Sequence, residues 1–211
     1  MIPEIETRRS IRKYQAKPVP RELLLDVLKA AQLAPSGKNR QPWHFVVLED
    51  SAKEQACSLL EQGIRRERQN HDFLPGSAFG LPDARMTLMT MRQAPVVILV
   101  YNTNAPAELT DLIGADARFK EQCDLLSIGA ALENLILEAT RLGLGSLWIG
   151  NTCFAYPELT ALGRPDAMLV GAVALGYPDQ APKSPAPEKA GRAGYLPVHS
   201  LVLPRKKAGN L

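Results

Sequence analysis

Three segments of this chain carry polar groups at spacings that could grip a ligand. The first is Thr7-Arg8-Arg9-Ser10-Ile11-Arg12-Lys13. Alternate side chains of an extended backbone share a face, so Arg8, Ser10 and Arg12 would point the same way. Two guanidinium groups and a hydroxyl make a grip for phosphate or another anion, because arginine donates through a planar fork. The second is Ala34-Pro35-Ser36-Gly37-Lys38-Asn39-Arg40-Gln41-Pro42-Trp43. Pro and Gly define a turn there, and Ser36, Asn39 and Gln41 offer the neutral donors and acceptors that a heterocycle with amide and imide edges needs. The third is Gly143-Leu144-Gly145-Ser146-Leu147-Trp148-Ile149-Gly150-Asn151. Its glycines allow close backbone approach, and a backbone N–H at the strand's end could bond a flat ring. Taken singly, each has a plainer account: a solvated basic turn, a helix–strand loop, and a core strand with turn glycines.

The elements that would position these segments follow from periodicity. Glu22 to Leu33 has helical spacing, opened by Pro20 and ended before Pro35. Trp43 to Leu48 reads as a buried strand, and Ser51 to Arg68 as a helix with Ser51 at its N-cap. Residues 70–92 read as a loop with room for a short helix. Val96 to Tyr101 is a second buried strand. Asp124 to Leu142 is the longest helical pattern, with Leu125, Ile128, Leu132, Leu135, Ile136 and Ala139 on one side. Within it Gly129, Ala130 and Ala131 would let another backbone or a flat ligand come close, and Gly143 is a natural stop. Ser146 to Ile149 and Met168 to Leu175 are two further strands, separated by a helix from about Tyr156. From residue 176 to 211 the chain reads as an extended, Pro-rich arm whose Ser200–Leu203 could add a strand. The whole, residues 1–211, is expected to be one layered domain of the α/β or α+β class.

Composition narrows the function. The 211 residues are 45% hydrophobic and 22% charged, ordinary for a globular protein. No apolar run is long enough to span a bilayer, and no signal peptide is apparent at Met1–Glu6, so no membrane partner is expected. Three cysteines without a C-x-x-C pair point to a reducing, cytoplasmic setting, and the three histidines have no ligand spacing for a metal. Of the Lys and Arg residues, nine lie in residues 1–40 and six in residues 176–211, while residues 41–175 are net acidic. Basic ends suit an anionic ligand gripped by both termini, and nothing in the pattern suits nucleic acid. G-x-G-x-x-G after an early strand, G-x-S-x-G and Walker A loops are all missing, so the anion site must be built another way.

In order along the chain, Arg-Arg-Ser-x-Arg, Pro-Ser-x-x-Asn-x-Gln-Pro-Trp and Gly-Ala-Ala-x-x-Asn-x-x-Leu-x-Ala (Gly129 to Ala139) resemble the nitroreductase family of FMN-dependent oxidoreductases. The resemblance runs from about residue 5 to 178. It implies an α+β fold with a central, mostly antiparallel sheet flanked by helices. It also implies an intertwined homodimer with C-terminal arm exchange and FMN at the subunit interface. By carry-over, Arg8 and Ser10, with Arg9 beside them, would hold the phosphate and ribityl region, and Arg12 the pyrimidine edge. Pro35, Ser36, Gly37, Asn39 and Gln41 would reach the same flavin from the other subunit. Leu147, Trp148, Ile149 and Gly150 would lie along the ring, with the Ile149 N–H near flavin N5. A basic residue of the arm, Arg192 or else Lys189, would meet the phosphate. NADH or NADPH would reduce the flavin, and a small-molecule acceptor such as a nitroaromatic or quinone would reoxidise it by a ping-pong scheme, with no catalytic side chain. Residues 60–92 and 104–122 would form a variable lid, with His71, Phe73, Phe79 and Phe119 as candidate acceptor contacts. Another flavin chemistry of the family, or a flavin-binding protein with little turnover, remains open on these residues alone.

Overall fold

The computed structural model describes residues 1–70, 73–109 and 114–181. In chain order its regular elements are α1 (Pro3–Thr7), α2 (Arg21–Gln32), β1 (Trp43–Glu49), α3 (Asp50–Asn70), α4 (Leu81–Gln93), β2 (Val96–Asn102), α5 (Gly114–Arg141), β3 (Gly145–Ile149), α6 (Tyr156–Gly163) and β4 (Met168–Gly176). The strands form one sheet in the order β1-β2-β4-β3, with every neighbouring pair antiparallel. An unbroken apolar strand must be covered on both faces, and every residue of β2 is buried. Its side chains alternate between two cores. Val97, Leu99 and Tyr101 pack with Leu60, Met91 and Leu159 of α3, α4 and α6. Val96, Ile98 and Val100 pack with Val27 of α2 and Leu132 and Leu135 of α5. The sheet is therefore the middle of three layers, the α+β arrangement the resemblance implies.

Two stretches differ from the sequence reading. Residues 81–93, read as part of a loop with room for a short helix, form the 13-residue α4, which buries Ala84, Thr87, Leu88 and Met91 at helical spacing. Pro82 sits in the first turn, where a missing N–H costs nothing. The long helix begins at Gly114, well before Asp124, so much of the expected 104–122 lid is helix. Its phase is also turned: Leu125 is 36% exposed, whereas Asp124 and Ser127 are buried. The helix carries its polar residues inward here because loop groups wait for them. The expected arm, from residue 182 onward, lies outside the described residues, as does its exchange between subunits. Among the described residues no helix is long and apolar enough to cross a membrane.

Candidate functional site

β3 is an edge strand, and its outer side is where the first and third segments meet. Ile11 donates its N–H to the Ser146 carbonyl at 2.9 Å, and Ser10 forms a parallel bridge with Ser146. That approach needs Gly145, since a Cβ there would stand 2.7 Å from Ile11 Cγ1. Peptide groups alternate in direction along an antiparallel strand. Ser146 faces outward, so Trp148 does too, while Leu147 and Ile149 face β4. Consistently, the Ile149 carbonyl lies 2.7 Å from where a Cβ on Gly171 of β4 would be. Among the described residues every peptide bond is trans, so the N–H following that carbonyl points the other way. The outward N–H at the strand's end is therefore that of Gly150, and the expectation that Ile149 supplies it is corrected.

Beyond this open edge is a cavity of about 250 Å³. Arg12 lines it from the N-terminal segment, and Leu147, Trp148, Ile149 and Gly150 line it from β3. The structure thus unites five of the residues singled out in the sequence. Trp148 is 46% exposed, and its indole lies beside α5, with Cη2 3.9 Å from where a Cβ on Gly129 would be. A Cβ on Gly150 would meet nothing within 4 Å, so the backbone there is approachable.

The opposite wall was missed in the sequence. It is α4, through Asp83, Met86, Thr87 and Thr90, joined by Asn151 just past β3. Asn151 Nδ2 donates to Thr87 Oγ1 at 2.9 Å, tying the turn after Gly150 to the helix. The spacing of Ala84, Thr87, Leu88 and Met91 was the available signal, obscured by Gly76, Gly80 and Pro82. The segment before α4 is clasped by Glu67, which is 1% exposed. Its carboxylate accepts from the N–H groups of Phe73 and Leu74 and pairs with Arg66. Burial alone would push that carboxyl up, but the Leu74 N–H, Arg66 and the Phe73 N–H together hold it below the usual range. Phe73 stacks on Tyr156 with ring centroids 6.0 Å apart, so it serves packing. Phe79 and Phe119 are exposed, and His71 lies outside the described residues.

The remaining expected residues divide. Arg8 approaches Glu133 of α5 at 3.9 Å. Arg9 turns back to donate to the carbonyls of Glu6 and Arg8. Neither lines the cavity, nor does Ser10, which lies opposite Ser146 in the bridge that Ile11 closes. Lys189 and Arg192 lie outside the described residues.

The Pro35–Gln41 loop packs against α5. Lys38, Asn39 and Gln41 have φ of 55°, 54° and 47°. Asparagine tolerates this left-handed region, but for Lys and Gln it costs of order 1 kcal/mol or more each. The loop closes on itself: the Gln41 N–H donates to Ser36 Oγ at 3.0 Å and Gln41 Nε2 to Asn39 Oδ1 at 3.3 Å. It is tied to the body by Arg40, whose Nε and Nη2 donate to Asp124 Oδ1 at 3.1 and 2.7 Å. The Gly37 N–H adds a longer bond to Ser127 Oγ at 3.4 Å. Neither Arg40, inside the quoted loop, nor Asp124, at the start of the longest helical pattern, was singled out in the sequence.

Arg12, the open edge of β3 and the polar side of α4 thus surround one cavity of a three-layer domain. The family model described as the nitroreductase family matches residues 5–177, and the chain belongs to that family. A protein of Archaeoglobus fulgidus, provisionally named as an NADH dehydrogenase/NAD(P)H nitroreductase, is 31% identical over 182 residues, 82% of this chain and 83% of the relative. A BluB-like flavoprotein from Clostridium difficile 630 is similar in structure, with TM-score 0.74, 27% identity, and coverage of 92% of this chain and 98% of that one. A provisionally named nitroreductase from Desulfovibrio desulfuricans, solved in complex with FMN, has TM-score 0.59 and 28% identity, covering 96% of this chain and 94% of that one.

Proposed function

We propose that this chain is an FMN-dependent oxidoreductase that uses NADH or NADPH to reduce a nitroaromatic, quinone or similar small acceptor, acting as a homodimer with FMN at the subunit interface. The observation that carries this reading is the shared cavity: Arg12, Trp148 and the outward N–H of Gly150 face one space. Those groups fit the isoalloxazine ring, which is flat, has acceptors along one edge and gains negative charge near N1 and O2 on reduction. When bound, FMN supplies the two-electron chemistry between NAD(P)H and the acceptor. The protein's part is orientation and charge. The Arg12 guanidinium would stabilise negative charge on the bound ring, which would favour the reduced cofactor. The Gly150 N–H would offer the ring a fixed backbone donor, with Trp148 beside it. A cavity of about 250 Å³ is smaller than the roughly 300–1,000 Å³ of most whole-ligand pockets. This supports a second wall, and the Ser36–Gln41 loop of a partner subunit is our candidate for it.

Other features of the chain agree. The relative from Archaeoglobus is named for NAD(P)H chemistry and the neighbour from Desulfovibrio holds FMN. The test is to purify the protein, record its flavin absorbance, and add NADH or NADPH without oxygen. Rapid bleaching followed by recolouring with a nitroaromatic or quinone is the expected result. Colour that persists would make it a flavin-binding protein with little turnover, and colourless protein that takes up no FMN would remove the cofactor. Running the same cycle with free flavins and halogenated phenols as acceptors separates this chemistry from the family's alternatives.

A further inference from the structure

We infer that Arg40 and Asp124 are a positioning pair that presents Ser36 and Asn39 to the flavin, an inference that rests on the function proposed above. The loop's own hydrogen bonds, Gln41 to Ser36 and Gln41 to Asn39, set its internal shape but do not fix it to the domain. Of its ties to α5, the Gly37 bond to Ser127 is long at 3.4 Å, whereas Arg40 makes two contacts to one oxygen, at 2.7 and 3.1 Å. Asp124 is a firm anchor. It is 2% exposed, sits on a helix packed across the sheet, and its second oxygen accepts from Asn104 Nδ2 at 3.4 Å. The direction of the Arg40 guanidinium therefore sets where a loop with three left-handed, non-glycine residues lies against the helix.

The chemistry argues against a purely structural part. Burying a carboxylate carries a desolvation penalty that its ion pair often only repays, and an apolar pair of similar volume commonly stabilises as well or better. What a charged, forked pair adds is direction: arginine accepts only a narrow set of geometries toward a carboxylate. A strained loop held from one side needs that direction more than it needs binding energy.

The experiment is a fluorescence titration of apoprotein with FMN, on full-length protein, with the apoprotein melting temperature measured in parallel. The apolar pair Arg40→Met/Asp124→Leu should keep the melting temperature while raising the FMN dissociation constant about tenfold, that is, about 1.4 kcal/mol. Ser36→Ala/Asn39→Ala should raise it by a similar factor. The quadruple variant should bind no more weakly than either double, because both act through the same loop. An apolar pair that binds FMN like the unaltered protein overturns the inference, and so do effects that multiply in the quadruple variant. Should the apolar pair fail to fold, Arg40→Lys serves: it keeps the charge, loses the fork, and should weaken binding several-fold. Unaltered FMN affinity in that variant is equally fatal. If Ser36→Ala/Asn39→Ala binds FMN normally, the positioning role falls while the flavin assignment stands. If the unaltered protein binds no FMN, both fall together.

Discussion

The rim of β3 and the Ser36–Gln41 loop are both prepared surfaces, but they are prepared in opposite ways. At the rim, Trp148 and Gly150 are aimed by an ordinary antiparallel ladder, steadied by Ile11 on Ser146 and by Asn151 donating to Thr87. Nothing there is strained. In the loop, three left-handed residues are forced together and held by one arginine on one buried carboxylate. A sheet edge thus comes oriented at no extra cost, whereas a loop must be paid into shape by a contact elsewhere. Damage should then travel differently: an unpaired tether in the loop should cost stability as well as ligand affinity, whereas damage at the rim should reach ligand affinity alone.

The sharpest way to break this contrast is Arg40→Ala. It leaves Asp124 without its main partner, so the apoprotein should lose about 2–3 kcal/mol of unfolding free energy. An unchanged urea midpoint would mean that the loop is not held as described. Next comes Glu67→Gln, which loosens the clasp before α4 and should cost roughly 1.5 kcal/mol at neutral pH. Because the folded-state carboxyl is held below its usual range, its contribution is present above about pH 4.3. It fades as pH falls through the lower folded value. Stability plotted against pH should therefore drop more gently on the acid side in Glu67→Gln, and parallel curves would exclude the clasp. Arg12→Ala tests the rim: FMN affinity should fall about tenfold, with the apoprotein's melting temperature hardly moved because the side chain is exposed. A large stability loss there would erase the distinction between the two regions. Smallest of all is Thr87→Val, expected to weaken FMN by about fivefold, near 1 kcal/mol. Calorimetric titration showing full affinity would leave the Asn151 tie without a role at the rim.

Much of the layering was legible because β2, β4 and α2 obey simple periods, and both ends of β3 are marked by glycine. The loop's importance was legible in residue types, but its conformation was not: no local rule puts Lys38 and Gln41 at positive φ. That shape exists because Asp124 waits on a helix far away in sequence. Asp124 itself was hidden by assuming that Leu125 faces inward. α4 was obscured by its flanking Gly and Pro, so Thr87 was lost with it. Gly150 was displaced to Ile149 because which peptide faces outward depends on pairing with Ile11 and β4, and side-chain periodicity does not report it.

The half-covered edge of β3 has one more consequence, for solubility. Among the described residues the N-terminal segment caps that edge at Ser146, and the peptide groups beyond it are open to the cavity. Unpaired strand edges recruit other strands. A flat ligand lying there would act as a plug, and protein stripped of it should associate more readily, with the charge of Arg12 and the bulk of Trp148 as the remaining guards.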